Sequence, residues 1–339
     1  MTTIYAANED SLVCLRDADG GWEARRQLQG RAPRCIAVDP RRPERVWCGT
    51  AGAGIWRSVD SGATWQAAGS ELAAAHVSAV AVSPDERVGE DGVVYAGTDP
   101  SALFRSEDGG GTWKELAAMR ALPSAPTWSF PPRPETSHVR WITLDPFEPA
   151  TLYVCIEAGA LVRSRDGGRT WTDRVPGGPI DTHTLAAHPR VPGRLYSAAG
   201  DGVMGGHGYN ESHDGGDTWA QPDGGIERHY LYGLAVDPGD PDTVVVSAAT
   251  SPQTAHDPSH ADATIYRRSA DGPWQEVREG LPEPMGGLRA LLAVHLAEPG
   301  VFYAGSNRGL FRSSDAGLSW QRLQLLEPVT VDYAIAVSA

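Results

Sequence analysis

Residues that could do chemistry recur at one place in a repeating unit of this 339-residue chain. One apolar run of each unit aligns with its counterparts in the other six units. The aligned positions are Asp39, Ser83, Asp145, His188, Asp237, His295 and Ser338. Five positions upstream lie Arg34, Ser78, Arg140, His183, Tyr232, Ala290 and Tyr333; seven positions upstream lie Ala32, His76, His138, Asp181, Tyr230, Leu288 and Val331. Residues two positions apart share one face of a strand, so the polar members of both sets are predicted to lie together.

Imidazole, guanidinium and carboxylate groups gathered in this way could bind an anion and transfer protons. We predict that Glu157, Asp181, His183 and Asp201 are catalytic, with the carboxylates serving as acid and base as in glycoside hydrolysis. Guanidinium groups pair well with carboxylates and phosphates, so a small polar or anionic substrate is expected. The residues predicted to hold it are Arg34, Arg133, His138, Arg140, His229, Tyr230, His256 and Arg308.

A divalent metal is an alternative for the same residues, and it is the one cofactor that the sequence suggests. His138, His183 and His229 could supply imidazole ligands, with Glu157 as a further ligand or base. The metal would make the protein a metal-assisted hydrolase or lyase. The simpler interpretation is that these histidines form hydrogen bonds.

The elements that position these residues are identified by a repeated motif, S-x-D-x-G-x-T-W. It occupies residues 58–65, 106–113, 164–171 and 212–219, and residues 313–320 carry Ser in place of Thr. Two shortened copies lie at residues 17–22 and 269–274. The seven tryptophans that end the copies recur about every 50 residues, the period of a four-stranded propeller blade.

Each period contains three apolar runs before the motif and one after it, which we label strands A to D. The motif fits the turn between strands C and D, where Asp and Ser oxygens accept backbone N–H bonds and Gly adopts positive φ. Residues 3–28 supply three strands without an A strand, and residues 332–339 supply the missing one. We therefore predict an all-β, seven-bladed β-propeller in one domain, residues 1–339, closed by pairing of its two ends.

Composition restricts the partners. The formal charge is −14 without a Lys/Arg run, which argues against nucleic acid and against an anionic membrane surface. The four cysteines lie singly in apolar runs, so we expect buried free thiols in a reducing compartment. The sequence begins without a signal-like segment, and we expect a cytoplasmic protein.

The motif resembles the bacterial-neuraminidase repeat, or Asp box, and the resemblance covers essentially the whole chain. Proteins with this repeat include sialidases, xyloglucanase-type glycosidases, sortilin-like receptors and a photosystem II assembly factor. The chain resembles single-domain bacterial propellers, often labelled glycosyl hydrolase by the repeat alone, more than it resembles sialidases. It lacks the Arg-Ile-Pro signature of sialidases, so the resemblance implies the fold and no sialidase catalytic residue.

In such a propeller the candidate residues fall at the channel mouth, on the face opposite the motifs. Three long insertions belong to that face: residues 121–137, 200–209 and 250–263. Long ordered loops on a rigid scaffold commonly build a site. Two functions remain open, an enzyme acting at this face and a non-catalytic platform that binds a protein or a carbohydrate. A charged funnel would favour the enzyme, whereas an aromatic, apolar face would favour the platform.

Overall fold

Seven antiparallel sheets follow one another along the chain. The computed structural model describes residues 2–18, 21–73, 75–270 and 272–338. The innermost strands of neighbouring sheets contact each other in a closed ring. The predicted seven-bladed β-propeller is therefore confirmed, although Asp19, Gly20 and Asp271 of the two shortened motifs lie outside the described residues.

The strands are assigned to the blades in chain order. Blade 1 contains β1 (Thr3–Ala7), β2 (Leu12–Ala18) and β3 (Gly21–Gln27); blade 2 contains β4 (Pro33–Asp39), β5 (Arg42–Thr50), β6 (Ile55–Ser58) and β7 (Gln66–Ala67). Blade 3 contains β8 (His76–Val88), β9 (Asp91–Asp99), β10 (Leu103–Ser106) and β11 (Lys114–Glu115); blade 4 contains β12 (Val139–Leu144), β13 (Leu152–Ile156) and β14 (Ala160–Ser164). Blade 5 contains β15 (Thr182–Ala187), β16 (Leu195–Ala199) and β17 (Tyr209–Ser212); blade 6 contains β18 (Tyr230–Val236), β19 (Val244–Ala249), β20 (Thr264–Arg268) and β21 (Gln275–Val277). Blade 7 contains β22 (Leu291–Val294), β23 (Phe302–Ser306), β24 (Gly309–Ser313) and β25 (Gln321–Arg322), and β26 (Ala334–Ser338) completes blade 1.

The outermost strands of blades 4 and 5 are reduced to single bridges. Arg163 pairs with Thr172 in blade 4, and Glu211 pairs with Ala220 in blade 5. Pro176 and Pro222 follow shortly after these bridges, and proline cannot donate to a ladder. The short outer strands are thus a consequence of local sequence.

The two ends of the described chain close the ring as predicted. Strand β26 pairs antiparallel with β1, with Tyr5 opposite Ala336. The same sheet continues through β2 and β3. Pairing the ends removes the free edges that an open array of blades would leave.

Helical segments are short and lie in the connections. The one α-helix of the described residues, α1 (Pro252–His256), follows β19, and three 3₁₀ turns span Ala117–Ala121, Ala125–Thr127 and Asp201–Met204. No helix in the described ranges is long and apolar enough to cross a membrane.

Blades pack closely because small residues face the neighbouring inner strand. A Cβ atom on Gly97 of β9 would lie 2.4 Å from Val139 Cγ1 of β12. Real Cβ atoms do not approach so closely, so glycine sets the distance between blades 3 and 4. Val139 is itself fully buried in the core between these two blades.

The S-x-D-x-G-x-T-W motif forms the turn between strands C and D, as predicted. In the copy after β14, Ser164 Oγ accepts from the Gly168 N–H at 2.8 Å and donates to Asp166 Oδ1 at 2.9 Å. Asp166 also accepts from the Thr170 N–H at 2.8 Å and from the Thr170 hydroxyl at 2.6 Å. These hydrogen bonds hold the pKa of the Asp166 carboxyl down at about 2, so the carboxylate is ionised at neutral pH.

Deleting residues 332–339 is expected to lower the free energy of unfolding by more than about 4 kcal/mol, beyond the loss from most single substitutions. The deletion removes β26, exposes the edge of β1 and opens the core between blades 1 and 2. Urea unfolding of the truncated and full chains measures the difference. An unchanged unfolding midpoint would refute closure by β26.

Asp166→Ala is expected to lower the free energy of unfolding by about 1–3 kcal/mol, because the turn N–H groups lose their acceptor. Arg169→Ala, in the same turn, is the matched control and should have little effect, since the exposed Arg169 side chain supports no hydrogen bond of the turn. Because the folded pKa is depressed, the stabilisation is present above the unfolded pKa of 3.8 and is lost as pH falls towards 2. Urea titrations from pH 7 to pH 2 should therefore show the penalty of Asp166→Ala shrinking only below about pH 4. A constant penalty down to pH 2 would contradict this role.

Candidate functional site

The inner strands of five consecutive blades carry a β-bulge at the same place. In β4, Arg34 and Cys35 together oppose Gly49, because the register shifts between Pro33 and Cys35. The first residues of the five bulges are Arg34, Ser78, Arg140, His183 and Tyr232. These are the residues aligned five positions upstream in the sequence. A bulge inserts an unpaired residue and redirects its side chain, so the repeated bulge explains why polar side chains gather at the channel mouth.

A cleft of about 240 Å³ opens at this mouth. Strands B end and strands A begin on this face, whereas the S-x-D-x-G-x-T-W turns lie at the opposite ends of the strands, as predicted. The walls are mainly charged and aromatic. They include Arg34, Arg133, Arg140 and Arg289, the carboxylates Asp99 and Glu157, the histidines His76, His138 and His256, and the rings of Phe130, Tyr232 and Tyr333.

Glu157 is the central carboxylate of the cleft. Its Oε2 lies 2.8 Å from His138 Nε2 and 3.6 Å from Arg140 Nε. Burial alone would raise the pKa of Glu157, but the hydrogen bond from His138 and the positive groups around the carboxylate lower it to about 2. An ionised Glu157 can only accept, so His138 Nε2 carries the proton and donates.

With its proton on Nε2, the neutral form of His138 carries its lone pair on Nδ1. That nitrogen is buried and has no hydrogen-bond partner within the described part of the chain. The ring is fixed further by an edge contact with Phe130, whose centroid lies 4.8 Å away. His138 is thus a base that a carboxylate orients, the arrangement used for general base catalysis.

His183 lies behind the cleft wall and is fully buried. Its Nδ1 lies 2.6 Å from the Leu231 carbonyl oxygen, which can only accept, so Nδ1 carries the proton. Its Nε2 lies 3.3 Å from the Tyr230 hydroxyl, 3.8 Å from Glu157 Oε1 and 3.7 Å from Asp181 Oδ1. The predicted residues Glu157, Asp181, His183 and Tyr230 are therefore brought together.

Two of the predicted acids bond mainly to backbone N–H groups. Asp181 Oδ1 accepts from Ala158 N at 2.7 Å, which supports the turn after Glu157, where Ala158 has a φ of 49°. Asp201 Oδ2 accepts from Ile180 N at 2.9 Å and Asp181 N at 3.1 Å. Burial raises the pKa of Asp201, yet its carboxyl is committed to these amides. Asp201 therefore positions the loop that carries Asp181.

Tyr230 links His183 to His256, the last residue of α1. Its hydroxyl lies 3.3 Å from Nε2 of each histidine. Burial, followed by repulsion from Arg289, lowers the pKa of His256 to about 3, and burial raises the pKa of Tyr230. Both groups are therefore uncharged at neutral pH, and neither adds positive charge beside the arginines.

Three arginines of the cleft lie over tyrosine rings. The Arg34 guanidinium lies 3.8 Å from the centroid of the Tyr333 ring. Arg140 and Arg289 contact the Tyr232 ring, at 4.9 Å and 4.5 Å. Stacking of this kind fixes a guanidinium while leaving its edge free to donate hydrogen bonds.

Two of these arginines have no acidic partner. Arg133 pairs with Asp99, and Arg140 lies beside Glu157. Within the described ranges no carboxylate comes within 4.0 Å of a nitrogen of Arg34 or Arg289, and their polar contacts are the Pro33 and Asp332 carbonyls. The cleft therefore has an excess of positive charge, although the whole chain is strongly acidic.

In contrast to the sequence prediction, the structure does not bring His138, His183 and His229 together as the ligands of one metal ion. His229 is exposed, because its backbone packs against Gly202 and Gly208 of the loop before β17. The one set of three potential ligands that the described residues bring within 4.8 Å of each other is Glu157, Asp181 and His183. The metal hypothesis survives only with these ligands.

Arg308 also lies outside the cleft. The turn after β23 directs its guanidinium to the Met285 carbonyl oxygen, 2.5 Å away, beside a separate pocket between blades 6 and 7. The prediction that Arg308 joins the other substrate-binding residues is therefore not supported by its position. Arg34, Arg133, His138, Arg140 and His256 do line the cleft as expected.

The sequence reasoning did not select several residues of the cleft. Tyr232 and Tyr333 stood in the aligned set but were not chosen, although their rings support the arginines. Arg289 precedes the aligned Ala290 by one residue, and no periodicity pointed to it. Asp99 ends β9 and could have been found as a carboxylate equivalent to Glu157 at the end of a B strand.

Comparison with known proteins gives similarity in structure alone. No protein-family profile and no curated protein sequence matches the chain. A GH74 enzyme from Niastella koreensis matches 99% of this chain and 52% of its own, with 16% identity and a TM-score of 0.69. An ancestral GH74 enzyme matches 94% of this chain and 40% of its own, with 16% identity and a TM-score of 0.66. YCF48 bound to D1 peptide matches 90% of this chain and 86% of its own, with 18% identity and a TM-score of 0.59.

The coverage and the sequence identity limit what this structural similarity shows. The chain spans about half of the length of the GH74 enzymes or less. At under 20% identity, the similarity establishes the propeller fold and transfers no activity.

Proposed function

We propose that the cleft binds a small anionic molecule and that His138 removes a proton from it, as in a lyase or hydrolase. The observation that carries the proposal is the pair of stacked arginines, Arg34 and Arg289, which line the cleft without an acidic partner. Unpaired guanidinium groups in a half-buried cleft favour a carboxylate or phosphate as counter-ion. Arg140, between Tyr232 and Glu157, adds a third donor close to the base.

The proton transfer rests on the orientation of His138. Glu157 accepts from Nε2 and holds the ring, so Nδ1 carries the basic lone pair; because Nδ1 is buried, a substrate reaches it only after a neighbouring side chain moves aside. A carboxylate bound by the arginines acidifies its own α-carbon little, but neutralising its charge with guanidinium groups lowers the barrier to removing the α-proton. The proton passes from the α-carbon to Nδ1, and its electron pair stays on the substrate, where it can expel a leaving group from the β-carbon.

A glycosidase is the alternative that the GH74 enzymes support. That reaction needs one protonated carboxyl and one carboxylate on either side of the bond to be cleaved. Glu157 is held ionised, and Asp201, whose pKa is raised, bonds to backbone amides. The carboxyl groups therefore support acid catalysis less well than the histidine supports base catalysis.

A divalent metal is a further proposal for the same pocket, with Glu157, Asp181 and His183 as ligands. One nitrogen and two carboxylate oxygens suit Zn²⁺, and the bond from His183 Nδ1 to the Leu231 carbonyl is a typical outer-shell contact. A bound ion would supply a water of lowered pKa. Elemental analysis of the purified protein tests this proposal directly.

A non-catalytic platform remains the second function class. The structure of YCF48 bound to D1 peptide supports a protein partner for a propeller of this shape. A peptide would use the same cleft, which combines aromatic rings with unpaired arginines. Binding without turnover would favour this function over the enzyme.

Arg34→Met is expected to weaken the binding of acetate and of inorganic phosphate by at least about tenfold, because it removes a charged donor and keeps the aliphatic stem. Arg31→Met is the matched control: Arg31 also stacks on a ring, that of Trp56 at 4.9 Å, but does not line the cleft. Ligand-observed NMR titrations give the dissociation constants, and thermal melting checks folding. Equal affinity of the two variants would contradict an anion site at Arg34.

His138→Gln is expected to abolish exchange of substrate α-protons with D₂O while anion binding persists. Glutamine keeps a donor for Glu157 but provides no basic nitrogen. Proton NMR of a panel of hydroxy and amino carboxylates in D₂O measures the exchange. His207→Gln, at a histidine outside the cleft that pairs with Asp223, should retain it. Absence of exchange in the unmodified protein, with anions bound, would leave the platform as the function.

A further inference from the structure

A second cavity lies beside the cleft, deeper in the ring of blades. This cavity, of about 70 Å³, shares the walls formed by Arg34, Ser78, Arg140 and Tyr333 with the cleft. The rest of its lining comes from residues further along the inner strands, and every blade contributes. The two spaces are therefore neighbours along the axis of the ring, and these four side chains border both.

The wall of this channel is apolar. Ile36, Val80 and Ile142 follow the bulges of β4, β8 and β12 at corresponding positions, and all three line the second cavity. Leu291 of blade 7 and Ile335 of blade 1 belong to the same lining. The lining therefore changes from charged residues at the mouth to apolar residues further along the same inner strands.

Part of this apolar surface is uncovered. Ile36, Val80 and Ile335 are only half-buried, although they belong to innermost strands and not to the outside of the molecule. Apolar surface that faces a narrow channel favours an apolar group over water. Two residues of a strand span about 7 Å, which is close to the length of one aromatic ring or a short alkyl chain.

We infer, building on the proposed anion site, that the ligand is an amphipathic carboxylate: its charged end lies between Arg34 and Arg289, and its apolar end enters the channel. The arginines at the mouth set the orientation of the ligand. The same arrangement would hold the α-carbon near the rim, on the side of His138. Carboxylates without an apolar end would bind weakly, and apolar molecules without a charge would bind weakly too.

The test compares acetate, butanoate, hexanoate and hexan-1-ol with the unmodified protein by ligand-observed NMR titration. Each methylene added between acetate and hexanoate should itself lower the dissociation constant about fourfold, because it is buried in the channel. Hexan-1-ol should bind at least about tenfold more weakly than hexanoate, because it lacks the charge. Equal constants for the three carboxylates would overturn the inference while leaving the anion site intact. If neither acetate nor hexanoate binds, the proposed function itself fails.

Two variants of Val80 locate the apolar end. Val80→Phe should fill the channel, so that hexanoate binds no better than acetate while acetate binding is unchanged. Val59→Phe is the matched control, because Val59 is 52% exposed and lies in a motif turn on the opposite face. Val80→Ala, which does not overfill the core, should weaken hexanoate about fourfold or more and leave acetate unchanged. An undiminished preference for hexanoate in both Val80 variants would place the apolar end elsewhere and overturn the inference.

Discussion

The candidate site depends on one constraint of the inner strands: each of five blades accommodates an extra residue at the channel mouth. Without the bulge, the regular backbone pairing of β4 and β12 with their neighbouring strands would continue, and Arg34 and Arg140 would be paired residues. The bulge leaves these two residues unpaired and redirects their side chains to the channel mouth. Closure of the ring by β26 then brings bulge residues from distant parts of the sequence to one rim.

The charged side chains at this rim stabilise one another. Glu157 remains ionised because His138 and the nearby cations offset the cost of its burial. Its charge fixes the orientation of His138, while tyrosine rings hold the guanidinium groups of Arg34 and Arg289. The positive charge left over is therefore local, rigid and opposite in sign to that of the whole protein. This difference in charge favours binding of an anionic ligand at this cleft over non-specific binding of anions to the rest of the protein.

The repeat and its period were enough to predict the number of blades, the role of the motif and closure by the two ends. Alignment of the A strands also identified Arg34, Arg140 and His183, because the bulge occurs at the same position in each of them. Arg289 was missed because blade 7 lacks the bulge and β22 begins only at Leu291. His229 and Arg308 were misplaced because they lie in connections, whose conformation depends on contacts with residues distant in sequence.

The most direct test of an anion-binding cleft is a crystal structure of the protein soaked in bromide, with bromide located by its anomalous scattering. The account predicts a bromide site among Arg34, Arg140 and Arg289, since these donors lack sufficient acidic partners. Soaks at decreasing bromide concentration should empty the surface sites first and this site last. Bromide bound at the outer surface alone, with the cleft left empty, would contradict the account.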